Sequence, residues 1–259
     1  MRIGFFDSGI GGITVLYEAI KYLPEADYIY YADTKNVPYG IKPKKEVEEY
    51  IHRAVKHIID LNVDALVIAC NTATSIAIKD LRNKYDLPII GMEPAVKPAV
   101  EKNGDKEILV LATHLTLREE KYQNLVFKLD PKNIIKSLPL PELVNYAENF
   151  QFNNDVKWYI KDKLNVYNLN LFGTIILGCT HFVFFKDIIK QIIPDNIEII
   201  DGNIGTVKHL KNILIESSIF NKNRKGGKID FYTSGKKESN KIIKKYFNIL
   251  MNINRSDYK

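Results

Sequence analysis

Apolar runs of four to six residues alternate along this chain with stretches in which apolar side chains recur every third or fourth position. Ile3–Phe6, Tyr28–Tyr31, Ala65–Ala69, Leu87–Gly91, Ile108–Ala112, Ile134–Leu138, Phe172–Leu177, Ile197–Ile200 and Ile229–Thr233 read as strands. The helical period appears between them. Val15, Leu16, Ala19, Ile20 and Leu23 mark a helix over 13–23 that Pro24 stops, and Val47, Ile51, Ala54, Val55, Ile58 and Ile59 mark one over 44–61. Further helices are predicted over 73–84, 94–102, 116–128, 139–149, 155–164, 182–193, 204–217 and 238–251, with a basic, Gly-containing loop at 222–228. Strand and helix alternate throughout, which predicts an α/β fold with mainly parallel sheets flanked by helices.

One local pattern occurs twice. Leu66-Val67-Ile68-Ala69-Cys70-Asn71-Thr72-Ala73 is an apolar strand that runs into a cysteine and then small polar residues. Thr174-Ile175-Ile176-Leu177-Gly178-Cys179-Thr180-His181 repeats the design 109 residues later, and these are the protein's 2 cysteines. An echo at that distance predicts two pseudo-symmetric α/β domains. We read residues 1–96 with 208–259 as the first and 97–207 as the second. Ligands of open α/β sheets sit beyond the carboxyl ends of the strands. Asp7, Cys70, Thr113 and Cys179 each follow a predicted strand, so the candidate active site is the cleft between the domains.

The chain has 259 residues, 46% apolar and 26% charged, enough for a sizeable core. No apolar run is long enough to span a bilayer. The first residues run into a strand without a secretory leader pattern, so a cytoplasmic protein with reduced thiols is expected. The net charge of +6 is unevenly placed: 13 Lys/Arg face 4 Asp/Glu from Lys208 onward, against 24 and 27 before it. Without interleaved aromatics or a nucleic-acid motif, the basic tail reads as a solvated lysine-rich surface, and no nucleic-acid partner is expected.

Two thiols admit several chemistries. A disulfide is disfavoured in a reducing compartment. A metal site lacks the paired C-x-x-C spacing, so none is expected. Nucleophilic catalysis by one cysteine leaves the other without a role. Acid–base chemistry at one carbon from both faces uses both: one thiolate removes a proton, and the opposite thiol returns one. Cys70 before a helix would lie in a field that favours thiolate, and His181 could hold the proton balance near Cys179. Asp7-Ser8-Gly9-Ile10-Gly11-Gly12 fails as a dinucleotide fingerprint, because Thr14 stands where the last glycine belongs. It reads either as a carboxylate and hydroxyl aimed into the cleft or as a helix cap.

Asp7-Ser8-Gly9-Ile10-Gly11-Gly12, Pro38-Tyr39-Gly40, Cys70-Asn71-Thr72-Ala73 and Gly178-Cys179-Thr180-His181 together resemble the glutamate racemases of the cofactor-independent aspartate/glutamate racemase family. The resemblance covers nearly the whole chain. It implies interconversion of L- and D-glutamate for peptidoglycan without cofactor or metal, and a homodimer. By that similarity Cys70 and Cys179 are the catalytic acid/bases, Cys70 toward the D-isomer and Cys179 toward the L-isomer. Asp7 would assist Cys70, and His181 with Glu148 would assist Cys179. Asp7, Ser8, Pro38, Tyr39, Gly40, Asn71, Thr72, Thr113, Thr116, Thr180 and His181 would hold the substrate. Rival readings are an aspartate or other amino-acid racemase of the same superfamily, or a non-catalytic amino-acid-binding protein on a two-lobed scaffold.

Overall fold

The structure, a computed structural model, describes residues 1–220 and 226–256. In chain order it runs β1 (Arg2–Asp7), α1 (Ile13–Tyr22), β2 (Asp27–Ala32), a 3-10 turn (Tyr39–Ile41), α2 (Lys44–Ile59), β3 (Ala65–Ile68), α3 (Asn71–Lys84) and β4 (Ile89–Gly91). It continues through α4 (Val96–Lys102), β5 (Glu107–Ala112), α5 (His114–Arg118), α6 (Glu120–Leu129), β6 (Ile135–Pro139), α7 (Glu142–Glu148), α8 (Asn154–Leu164), β7 (Phe172–Leu177), a 3-10 segment (Thr180–Phe185), α9 (Lys186–Lys190) and β8 (Glu198–Asp201). It closes with α10 (Asn203–Glu216), β9 (Ile229–Thr233), β10 (Lys236–Glu238) and α11 (Lys241–Ser256).

The strands form two sheets. The first has the order β10-β9-β2-β1-β3-β4 and is parallel except for the β10–β9 pair. The second, β6-β5-β7-β8, is wholly parallel. Numbered within its own half, each sheet has the same core order 2-1-3-4. Cys70 follows the third strand of the first half, and Cys179 follows the third strand of the second. Asp7 ends the first strand of the first half, and Thr113 follows that of the second. The pseudo-symmetry expected from the cysteine echo is therefore a symmetry of topology. It sets these four residues at corresponding places, beyond the carboxyl ends of adjacent strands, where α/β folds bind ligands.

The predicted strands are buried runs as read: β3 and β5 present no exposed residue, and Ile3, Phe5, Phe6, Leu66 and Val67 are wholly buried. Helices lie on the sheet faces, and α2 turns Val47, Ile51, Ala54, Val55 and Ile58 inward as its period required. After the second sheet the chain returns through α10, which packs on α1 and β4, to add β9 beside β2.

Four expectations are corrected. The helix over 116–128 is two helices, because Glu119 takes an extended conformation (φ −66°, ψ 137°) between α5 and α6. The helix over 182–193 is a 3-10 segment followed by the short α9. Its cause is packing: Phe182, Val183, Phe184 and Phe185 are all buried, which a one-sided α-helix on a sheet cannot do with four consecutive residues. The closing helix begins at Lys241 and not at 238, since Lys236–Glu238 pairs as β10 with β9. The helix after Cys70 starts at Asn71, two residues early. Of the loop expected at 222–228, residues 222–225 lie outside the described residues.

The 3-10 segment wedges between the halves, packing on α1, α7, α9 and α11. Phe185 is fully buried and meets the Phe152 ring at a centroid distance of 5.3 Å. Truncating Phe185 to Ala should cost about 3–5 kcal/mol in urea unfolding, and should loosen the turn that carries Cys179 and His181.

Candidate active site

The site is assembled from the loops that leave four strands. β3 delivers Cys70, whose extended backbone (φ −68°, ψ 120°) makes it the N-cap of α3. Its sulfur takes the place of a capping oxygen and accepts from the Ala73 N–H at 3.4 Å. It also meets the Ser8 hydroxyl at 3.7 Å. β7 delivers Cys179, also extended but with no side-chain cap; its sulfur meets His181 Nδ1 at 3.8 Å. The two thiols thus occupy corresponding positions with different company. Both are free and buried, 6% and 7% exposed.

β1 delivers Asp7, which is fully buried. One of its oxygens accepts from the Gly9 N–H at 2.9 Å, and the other from the Thr180 hydroxyl at 3.1 Å across the interface between the halves. Glu148, at the end of α7, reaches the opposite way. Its Oε1 accepts from the Ile10 N–H at 2.8 Å and lies 2.7 Å from His181 Nε2. Cys179, His181 and Glu148 thus form one chain of polar contacts that ends on the Gly-rich turn of the first half. That turn is glycine for steric reasons. A Cβ at Gly9 would strike Glu148, at Gly11 it would strike His181 and Thr180, and at Gly12 it would lie 2.7 Å from the Asp7 Cβ.

The hydroxyls gather on the other side. Thr72, Thr113 and Thr116 form a triangle with every Oγ1–Oγ1 separation 3.0 Å, buried at the junction. Gly40 lies against it, where an added Cβ would be 2.5 Å from the Thr113 Cβ. Pro38 enters the neighbouring 3-10 turn, and the buried Tyr39 donates its hydroxyl to Asp33 Oδ2 at 2.7 Å. Asn71 is buried at the first turn of α3. The structure links Asp7 with Thr180, links Glu148 with His181 and Cys179, sets Ser8 on Cys70, and joins Thr72, Thr113 and Thr116 beside Gly40; Pro38 and Tyr39 precede Gly40, and Asn71 stands between Cys70 and Thr72 in the chain.

Three residues were not anticipated. Asp33 follows β2 as Asp7 follows β1, and it anchors Tyr39, Asn36 and Ser234; its place after a strand was the available signal. Tyr30 donates to the Gly9 carbonyl at 2.7 Å and braces the turn from within the sheet. Glu119, buried at the helix break, pairs with Lys44 Nζ at 2.7 Å and ties α2 to the second half.

Burial dominates the electrostatics. Desolvation lifts Asp7 from 3.8 to about 6, against the opposing pull of His181 and of its hydrogen bonds. Burial and then the Asp7 charge push the Cys70 thiol up to about 12. For His181 burial alone would favour the neutral ring, but its hydrogen bonds to Cys179 and Glu148 overcome this and hold it well above its ordinary value.

Two mainly parallel sheets, each with a thiol beyond its third strand, define an α/β protein of two halves with a candidate site at their junction. The chain belongs to the Asp/Glu/Hydantoin racemase family, whose model matches residues 15–210, and by that membership it is an isomerase. It is 59% identical to the glutamate racemase of Halothermothrix orenii over 98% of this chain and 100% of that protein. Among solved structures it resembles glutamate racemase isoform RacE1 from Bacillus anthracis, with TM-score 0.81, 30% identity, and 90% and 88% of the two chains covered. It also resembles the glutamate racemase of Francisella tularensis in complex with D-glutamate, with TM-score 0.77, 29% identity, and 90% and 87% covered.

The Asp7 shift carries a sign. Its folded value lies above its unfolded one, so the native state binds more protons between pH 3.8 and about 6, and stability falls as pH rises through that window. Asp7→Asn removes this cost. Its stability relative to the parent, from urea midpoints, should rise between pH 4 and pH 7 by as much as about 3 kcal/mol; a gap that does not change with pH would show that Asp7 titrates normally.

Proposed function

We propose that the chain interconverts L- and D-glutamate by passing the α-proton between two thiols on opposite faces of the substrate. The observation that carries this reading is the placement of a buried thiol after the third strand of each half. The chemistry balances without an added reactant. A thiolate sulfur takes the α-hydrogen as a proton, leaving its electron pair on carbon, and the opposite thiol gives its own proton to the other face. The substrate leaves inverted, and the two sulfurs have exchanged protonation states.

The surroundings suit that exchange. Cys70, lifted to about 12, is a neutral thiol ready to donate. Cys179 has beside it a histidine held in its charged form, a counter-ion for a thiolate. The incoming α-ammonium would supply the positive charge that lets Cys70 act as the base in the reverse direction. The developing carbanion needs donors for its carboxylate. The hydroxyls of Ser8, Thr72 and Thr180 and the N–H groups of Asn71 and Thr72 at the start of α3 would serve that role. In the structure Ser8 meets Cys70, Thr72 meets Thr113 and Thr116, and Thr180 donates to Asp7, so a substrate would replace those contacts with its own oxygens.

Roles follow from position. Cys70 and Cys179 are the acid/bases. Asp7 orients Thr180 and the Gly9 turn beside Cys70, and Glu148 holds His181 against Cys179. Tyr39, Gly40, Asn71, Thr113 and Thr116 form the polar wall, with Pro38 setting the turn. We read 1–96 with 208–259 and 97–207 as the halves, with α10 as the segment that spans the second boundary. Among the described residues no helix is long and apolar enough to cross a membrane. Two buried thiols left free suit a cytoplasmic setting, and a homodimer is the expected assembly. The glutamate racemases among its relatives favour glutamate over aspartate or a hydantoin.

Cys70→Ala, Cys179→Ala and each Cys→Ser single variant should retain the fold by circular dichroism. The alanine variants should lose racemisation in both directions, followed as optical rotation of either enantiomer, and the serine variants most of it. Wild-type turnover in either alanine variant would refute the two-thiol reading. In deuterium oxide the inverted product should carry deuterium at the α-carbon, read by mass spectrometry; product that keeps only its original hydrogen would exclude exchange through the thiols.

A further inference from the structure

Beside the polar wall, toward solvent, lies a recess of about 260 Å³ lined by Gly40, Ile41, Lys42, His114, Leu115 and Arg118. Two elements make it, one from each half: the 3-10 turn Tyr39–Ile41 with Lys42, and the short helix α5. Gly40 belongs to both places. One side of it lines the recess, and the other lies against Thr113, whose hydroxyl is in the triangle with Thr72, two residues past Cys70. The recess is therefore joined to the segment that carries Cys70 through Gly40, Thr113 and Thr72.

Its polar lining is basic. Lys42 Nζ makes one long contact, 3.4 Å to the Pro38 carbonyl. Among the described residues neither Lys42 nor Arg118 has a carboxylate within ion-pair distance, and His114 adds a ring donor. Glu119, the buried acid next to Arg118 in the chain, is already taken by Lys44. Two unpaired cations converging from opposite halves raise the local concentration of anions and favour a carboxylate over a neutral ligand. The volume admits a carboxylate with its waters and is small for a larger ligand.

We propose that this recess is a carboxylate-binding subsite at the mouth of the cleft, in which Lys42 and Arg118 draw in and hold an acidic amino acid on its way to the thiols. The inference rests on the racemase reading above and deepens it. A substrate of net charge −1 gains from the field both at the mouth and in the adjoining site. A neutral cyclic substrate gains nothing, so these two side chains contribute to selection for acidic amino acids. They are positioning residues, since neither touches the reacting carbon.

The test is steady-state kinetics with L-glutamate at about 25 and 250 mM KCl on the wild type, Lys42→Gln, Arg118→Gln and the charge-conserving Arg118→Lys. Each Gln variant should lose on the order of 3-fold in kcat/KM at low salt. Its kcat should be little changed, and the loss should shrink at high salt. Arg118→Lys should stay near the wild type. Glutarate, a dicarboxylate without an α-amine, should inhibit competitively, with a Ki that rises in the same Gln variants. A Gln variant with wild-type kcat/KM and glutarate Ki at low salt, or a loss that salt does not reduce, overturns the proposal. The wild type alone gives a reading that needs no variant to fold: kcat/KM that does not fall between the two salt concentrations also overturns it. If the wild type does not racemise glutamate, the functional reading has failed instead. Calorimetric binding of glutarate to the wild type and to Arg118→Gln then decides the recess separately, equal affinities counting against it.

Discussion

Two like sulfur atoms can trade protons with opposite faces of one carbon only if the chain raises them on facing walls and gives them unlike surroundings. The first requirement is topological. Both halves have the strand order 2-1-3-4, and each spends the carboxyl end of its third strand on a cysteine. The second is local. Cys70 caps a helix and meets a serine, whereas Cys179 leaves the capping position unused and turns to a histidine braced by Glu148. The symmetry of the fold provides the pair, and its breaking at two side chains gives that pair different neighbours.

The polar groups of the cleft are satisfied across the interface, which makes closure and site assembly one event. Asp7 is held by Thr180, Glu148 by the Ile10 N–H, and Thr72 by Thr113 and Thr116; in each case the partners come from different halves. Opening the cleft would leave these groups to water, and closing it dry strengthens every remaining electrostatic contact. The glycines at 9, 11 and 40 let the backbones approach closely enough for these contacts to form. Their role at the interface is visible only once both halves are in place.

What could be read from the chain, and what could not, divides along the same line. Buried parallel strands are short apolar runs, so β1, β3, β5 and β7 and the residues after them were legible, and with them Asp7, Cys70, Thr113 and Cys179. The break at Glu119 was not, because it is set by a salt bridge to Lys44, 75 residues away. Nor was the 3-10 segment after Cys179. Phe182 to Phe185 carry apolar side chains at every position, and only the neighbours on all sides decide that a tighter helix serves better than an α-helix. Asp33 went unread because its partners, Tyr39 and Ser234, belong to a turn and to the returning strand β9's end. Glu148 was read through family likeness and not from its own surroundings, which say little until α7 is docked under the Gly-rich turn.

The reaction itself explains why near-symmetry suits this site. Two enantiomers have equal free energy in water, so kcat/KM must be the same in both directions whatever the enzyme does. A site that stabilised one enantiomer's deprotonation alone would gain nothing, because the same transition state is crossed from either side. What the protein can lower is the energy of the planar carbanion between the thiols, and that species has no handedness at its central carbon. A pseudo-twofold pair of strand ends suits such a target: equivalent backbone positions approach it from both faces. Ser8 beside Cys70 and His181 beside Cys179 give the two sulfurs different hydrogen-bond partners within that shared frame.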